Sequence, residues 1–173
     1  MSLSSIPQWV AVYTAARAEK VVTERLSQEL RLEAYLPMRR VLRKWSDRMK
    51  LVEVPLISSY TFVRITERDI YYVRQVYGVS GIVSFPNSGI AVIPQQEMDA
   101  MRRLVDSEEQ LYVHNSLSLQ KGAKVRVVAG NFAGMEGTVV RNCAEGNFAV
   151  HISNINISLT INIEPDVLQV ITE

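Results

Sequence analysis

Apolar and polar positions alternate most clearly over Tyr60–Ile65, where Thr61, Val63 and Ile65 point to one side and Tyr60, Phe62 and Arg64 to the other. The first side reads as core. The second carries two aromatics beside a charge, and these either lie beneath a helix of the same domain or form an apolar surface kept for a partner. Trp9–Thr14 reads as an earlier strand, rich in aromatic and β-branched residues. Between them, Ala18, Val21, Val22, Arg25, Leu26 and Leu30 recur at helical spacing from Arg17 to about Leu30, with Glu19, Lys20, Glu24 and Gln28 mostly opposite. Ala34–Leu36 is a short strand, because Pro37 steers the residue before it away from helix. Leu51–Leu56 is another strand of the same sheet.

Beyond Ile65, Thr66 and Asp69 have the spacing of a capping box for a helix whose Ile70, Val73 and Tyr77 share a face, and Gly78 is placed to end it in the left-handed conformation. Val79–Phe85 and Ile90–Ile93 are strands around the turn Pro86–Gly89, and Pro94 opens a third helix with Met98, Met101, Leu104 and Val105 inward. The order β-α-β-β-α-β-(β)-α predicts an α+β domain over 1–107, an antiparallel sheet with packed helices. Residues 108–118 have no sustained period and read as a linker. From 119 to 173 the texture changes to five short β-branched runs (124–128, 137–142, 147–152, 157–163 and 167–172) separated by Gly, Asn and Pro turns, which predicts a small all-β barrel. Asn and β-branched residues between Asn147 and Ile163 disfavour helix there, so this barrel is expected to be permanently β.

Composition changes this picture in one place. The chain has a net charge of only +1, yet residues 1–107 hold 15 Lys/Arg against 11 Asp/Glu, while residues 108–173 hold 4 against 7. The excess is concentrated in Arg39, Arg40, Arg43, Lys44, Arg48 and Lys50, with Asp47 the only acid among them and Trp45 in their midst. That run either contacts phosphates, with Trp45 free to stack, or is a solvated hairpin whose tryptophan folds back on the sheet. No apolar run approaches the length of a membrane span, and Met1–Gln8 lacks the features of a secretion signal. The single cysteine, Cys143, fits a reducing, cytoplasmic setting.

Catalytic chemistry finds little footing. The chain has two histidines, His114 and His151, and no His-Glu-x-x-His, paired Cys-x-x-Cys or glycine-rich phosphate loop. A thiol–imidazole pair of Cys143 and His151 across a hairpin is set against the commoner roles of a small buried cysteine and a satisfied strand histidine. The expectation is no enzyme, no cofactor and no metal.

Lys121–Val127 followed by Gly130–Val139 resembles a KOW motif, the glycine-punctuated start of an SH3-like barrel. Upstream, Trp9–Tyr13, Tyr35–Pro37, Trp45–Lys50, Pro55–Leu56 with Tyr60–Val63, and Gly78–Val79 resemble the amino-terminal (NGN) domain of NusG-family transcription factors. Together the two matches cover nearly the whole chain. The Trp45-Ser46-Asp47-Arg48 segment is most similar to the UpxY-type antiterminators of capsular polysaccharide operons. The resemblance implies a monomeric factor that rides on RNA polymerase, its amino-terminal domain on the clamp helices of the largest subunit. It implies a polymerase-binding pocket at Leu56, Ile57, Tyr60 and Phe62. Some paralogues contact DNA near the transcription bubble just after the first strand. Here Ala15 and Ala16 stand there and leave Arg17, so that contact would rest on Arg17 and the Arg39–Lys50 segment. The KOW domain would engage a ribosomal protein or a termination factor through Asn131 and Phe132, unless Phe132 packs on the barrel end instead. Two other readings stand beside this one: a general NusG-type elongation factor, and a KOW-containing RNA-binding or ribosome-associated module. The acidic balance of residues 108–173 favours protein partners over RNA at that domain.

Overall fold

Five strands and two helices assemble around the alternating segments of the first half of the chain. The computed structural model describes residues 5–86, 89–107, 111–115, 120–141 and 148–171. Cys143, the middle of the Pro86–Gly89 turn and much of the expected linker lie outside the described residues. The chain divides into two compact units, Met1–Pro94 and Gln95–Glu173.

In the first unit, β1 (Gln8–Thr14) lies between β5 (Tyr60–Ile65) and β6 (Val79–Ile82), and β2 (Glu33–Tyr35) adds to the far side of β5. β9 (Val92–Ile93) also pairs with β1, and every pairing is antiparallel. One face of this sheet meets α1 (Glu19–Gln28) and α2 (Ile70–Gln75), and Val10, Val12, Val22, Leu26, Val63, Ile65, Val73, Val76 and Ile82 form its core. The capping residues act as expected: the Thr66 N–H donates to Asp69 Oδ2 at 2.8 Å. Gly78 takes φ +98°, and a Cβ there would stand 2.9 Å from Val22 Cγ2, so only glycine closes this turn against α1 without displacing it.

Two assignments on α1 change. Glu19, expected outward, is buried, and its Oε1 accepts the Ser59 N–H at 2.7 Å. Val21, expected inward, is 48% exposed. The helix is rotated to favour a backbone hydrogen bond: Ser59 adopts φ 62°, its carbonyl accepts the Thr14 N–H at 3.0 Å, and Glu19 satisfies the N–H that this sharp turn leaves over.

The segment 38–55 does not join the sheet. Met38–Lys44 (β3) and Met49–Pro55 (β4) form their own two-stranded ribbon, in continuous register from Met38↔Pro55 to Lys44↔Met49. β7 (Ser84–Phe85) and β8 (Gly89–Ile90) make a second small ribbon.

The second unit holds α3 (Gln95–Asp106) and a six-stranded antiparallel sheet. The strands run β10 (Tyr112–Asn115), β14 (Ile157–Ile161), β13 (Phe148–Ile152), β12 (Glu136–Arg141), β11 (Gln120–Val127), β15 (Leu168–Val170). Part of the expected linker is therefore strand, because Tyr112–Asn115 completes the ladder beside β14. The third helix, grouped by sequence with the first domain, falls in the second unit: α3 lies beside β13, and Arg103 donates to the carbonyls of Asn131 at 3.0 Å and Ala133 at 3.1 Å. Gly137 lets β12 approach β13, since a Cβ there would stand 2.4 Å from the Ala149 carbonyl oxygen.

Candidate functional site

The β1–β5 register sets Tyr13 directly opposite Tyr60. Their ring centroids are 4.4 Å apart at 37°, and the Tyr60 hydroxyl donates to that of Tyr13. Burial, and then the hydrogen bond to Tyr13, push the Tyr60 phenol above its usual value of 10. Tyr13 is 43% exposed and Tyr60 half-buried, so the pair presents aromatic surface at the end of an otherwise closed sheet.

The other members of the expected pocket stand differently. Leu56 and Ile57 are buried, and Phe62 has no exposed surface. For these three the core alternative holds. The reason is that this sheet is covered on both faces: Trp9, Ala11 and Phe62 on the second face are as buried as Val10, Val12 and Val63 on the first. Leu56 is drawn inward where its N–H donates to the Pro37 carbonyl at 2.8 Å. Tyr13 is the residue that sequence reasoning missed. Its signal was the alternation of β1, which places Tyr13 on the same side as Trp9 and Ala11, the side that Tyr60 and Phe62 take on β5.

The ribbon of β3 and β4 carries the basic run outward. Arg39, Arg40, Arg43, Lys44, Trp45, Arg48 and Lys50 are all exposed. The Trp45 N–H donates to the Arg48 carbonyl at 2.8 Å and closes the turn, and Lys50 Nζ stands 5.8 Å from the centre of the Trp45 ring. Arg48 has Asp47 at 3.9 Å, and Arg40 Nε lies 3.2 Å from Glu53 Oε1, an acid that the register sets opposite it. Trp45 is 56% exposed and does not fold back on the sheet. Lys20 of α1 donates to the Glu53 carbonyl at 3.1 Å. Arg17 belongs to a different element, the turn between β1 and α1, where it is exposed at φ 64°. Such a surface can hold phosphates by charge and a base by stacking.

In the second unit Asn131 and Phe132 sit in the turn between Gly130 (φ +80°) and Gly134 (φ +83°). Phe132 is only 7% exposed, so it is a packed loop aromatic and offers little to a partner. Asn131 is exposed, but its carbonyl already accepts from Arg103. His151 Nδ1 and Ser158 Oγ lie within hydrogen-bond distance across β13 and β14, a structural use of that imidazole. Among the described residues no group of three or more His, Cys, Asp or Glu could hold a metal ion, and no helix is long and apolar enough to cross a membrane.

Comparison with known proteins bears on residues 7–102, which match the family described as "NusG: Transcription termination factor nusG". Among solved structures, one described as "Domain interaction in Thermotoga maritima NusG" is similar over 96% of this chain and 98% of that one, at 19% identity and a TM-score of 0.53. The MjSpt4:Spt5 complex in conformation B aligns over 95% of this chain and 97% of that one, at 17% identity and a TM-score of 0.31. No curated protein sequence matches.

Proposed function

Because the chain belongs to the NusG family, we propose that it is a transcription elongation and antitermination factor that docks on RNA polymerase through its first unit, Met1–Pro94. The observation that carries this reading is the Tyr13–Tyr60 pair, solvent-reachable aromatic surface at the end of a face whose Trp9, Ala11 and Phe62 are buried. Aromatic residues left partly open in a rigid sheet suit an interface anchor, since they present large area at little entropic cost. The docking partner is the clamp-helix region of the largest polymerase subunit. There the basic ribbon reaches nucleic acid beside the transcription bubble, and the KOW domain, residues 119–173, recruits a further factor. The Trp45-Ser46-Asp47-Arg48 turn supports specialisation of the UpxY type, for polysaccharide operons. The setting is cytoplasmic.

Tyr13→Ala combined with Tyr60→Ala tests the docking. Co-elution and titration with core RNA polymerase should show at least a 30-fold loss of affinity, equivalent to about 2 kcal/mol. Unchanged affinity of a folded double variant would refute the proposed surface.

A further inference from the structure

The β3–β4 ribbon has two unlike faces. Directly opposed residues share a face, and faces alternate along each strand. One face carries Arg43 opposite Lys50, with Trp45 beyond them and, behind, Val41 opposite Val52 and Arg39 opposite Val54, the three valines half-buried. The other carries Leu42 opposite Leu51 and Lys44 opposite Met49. Leu42, Met49 and Leu51 are 66%, 58% and 55% exposed. The only other charged residues on this second face, Arg40 and Glu53, lie opposite each other as an ion pair at 3.2 Å, which leaves Lys44 as its one uncompensated cation. A two-stranded ribbon outside any larger sheet is marginally stable, and three adjacent aliphatic side chains in water add to the cost.

From this geometry we infer that the ribbon works between two partners: its cationic face meets nucleic acid, as in the function proposed above, and its aliphatic face docks on a protein surface that is apolar at its centre and acidic at its rim. Phosphate recognition needs several free cations, which the aliphatic face lacks. A second copy of this chain is an unfavourable occupant, because each ribbon carries six Lys/Arg against Asp47 and Glu53, and facing copies would repel. Apolar side chains on a ribbon with that net positive charge, with Lys44 at their edge, fit a patch rimmed by carboxylates.

The inference rests on polymerase binding, and its test uses the full chain assembled with core RNA polymerase on a forked DNA scaffold. A photoreactive benzoylphenylalanine is placed at Leu51 in one variant and at Lys50 in another, adjacent positions on opposite faces. The expected result is a protein crosslink from position 51 and a DNA crosslink from position 50, the polymerase peptide joined at 51 lying beside Asp or Glu. The pair Leu42→Ser and Leu51→Ser should weaken the complex at least 10-fold and leave thermal melting unchanged, as both residues are exposed. A DNA crosslink from position 51, a silent position 51 in a formed complex, or a crosslinked peptide without nearby carboxylates overturns the inference and leaves polymerase binding standing. Failure of the chain to co-elute with polymerase instead removes the functional reading and this inference with it.

Discussion

Truncating Phe62 separates core from interface more sharply than any other change. Phe62 has no exposed surface, and it stands opposite Ala11 on β1 and Tyr35 on β2, in the middle of the sheet's second face. Phe62→Ala removes a whole ring from a packed site between strands that cannot close over it, which costs about 3–5 kcal/mol. For a unit of this size each kcal/mol moves the midpoint by roughly 4–8 °C, so the melting temperature of the first unit should fall by about 12–40 °C. Tyr60→Ala, at a half-buried rim position, removes one phenol hydrogen bond and part of an aromatic pairing, and should cost only about 1–2 kcal/mol. Differential scanning calorimetry of the two variants beside the parent provides the comparison. A drop of less than about 5 °C for Phe62→Ala, accompanied by loss of polymerase binding, would show that the ring serves a partner and would refute the assignment to core.

Three further outcomes are expected. The Tyr60 phenol keeps its proton in the fold above the pH near 10 at which the unfolded chain releases it, so its contribution to stability is complete below pH 10 and declines as pH rises from there; Tyr60→Phe should flatten that decline in denaturant titrations from pH 9 to 11, and parallel curves would count against it. Reversing the charge of Arg39, Arg43 or Lys50 should lower the salt dependence of DNA binding by about one unit of log–log slope for each phosphate no longer neutralised, whereas Arg40→Glu should change it less because Glu53 already holds that guanidinium. Gly137→Ala drives a Cβ against the Ala149 carbonyl and should destabilise the second unit by about 1–3 kcal/mol, read from its thermal melting.

Most of the fold was legible because its strands and helices carry strong periods. Trp9–Thr14, Tyr60–Ile65, the three helices and most strands of the second unit announce themselves by alternation or by helical spacing. Alternation does not say whether the opposite face is wet, and that is why Phe62 could be read as a surface; the family resemblance, not the pattern, set Leu56 and Ile57 beside it. The burial of Glu19 was hidden because its partner is the backbone of Ser59, 40 residues away, in a left-handed turn that no serine advertises. β10 was hidden by composition, since Tyr112-Val113-His114-Asn115 has too short a pattern to stand out until β14 lies beside it. The basic ribbon was legible as charge. Its two faces became visible only with the register, because a shift of one residue would have exchanged every side chain between them.

The single bond from Lys20 Nζ to the Glu53 carbonyl has mechanical leverage. Four residues of extended chain separate Glu53 from Met49 at the turn, about 13 Å at roughly 3.3 Å per residue. A pivot of about 10° at that anchor would sweep the turn sideways by roughly 2 Å, more than half the distance across which a lysine grips a phosphate. The aim of Trp45 and its neighbouring cations therefore depends on α1, a helix that carries none of the ribbon's own side chains, together with the bond from the Leu56 N–H to the Pro37 carbonyl at the ribbon's base. Changes along its exposed side can retune which atoms the ribbon reaches without altering a single residue that does the reaching.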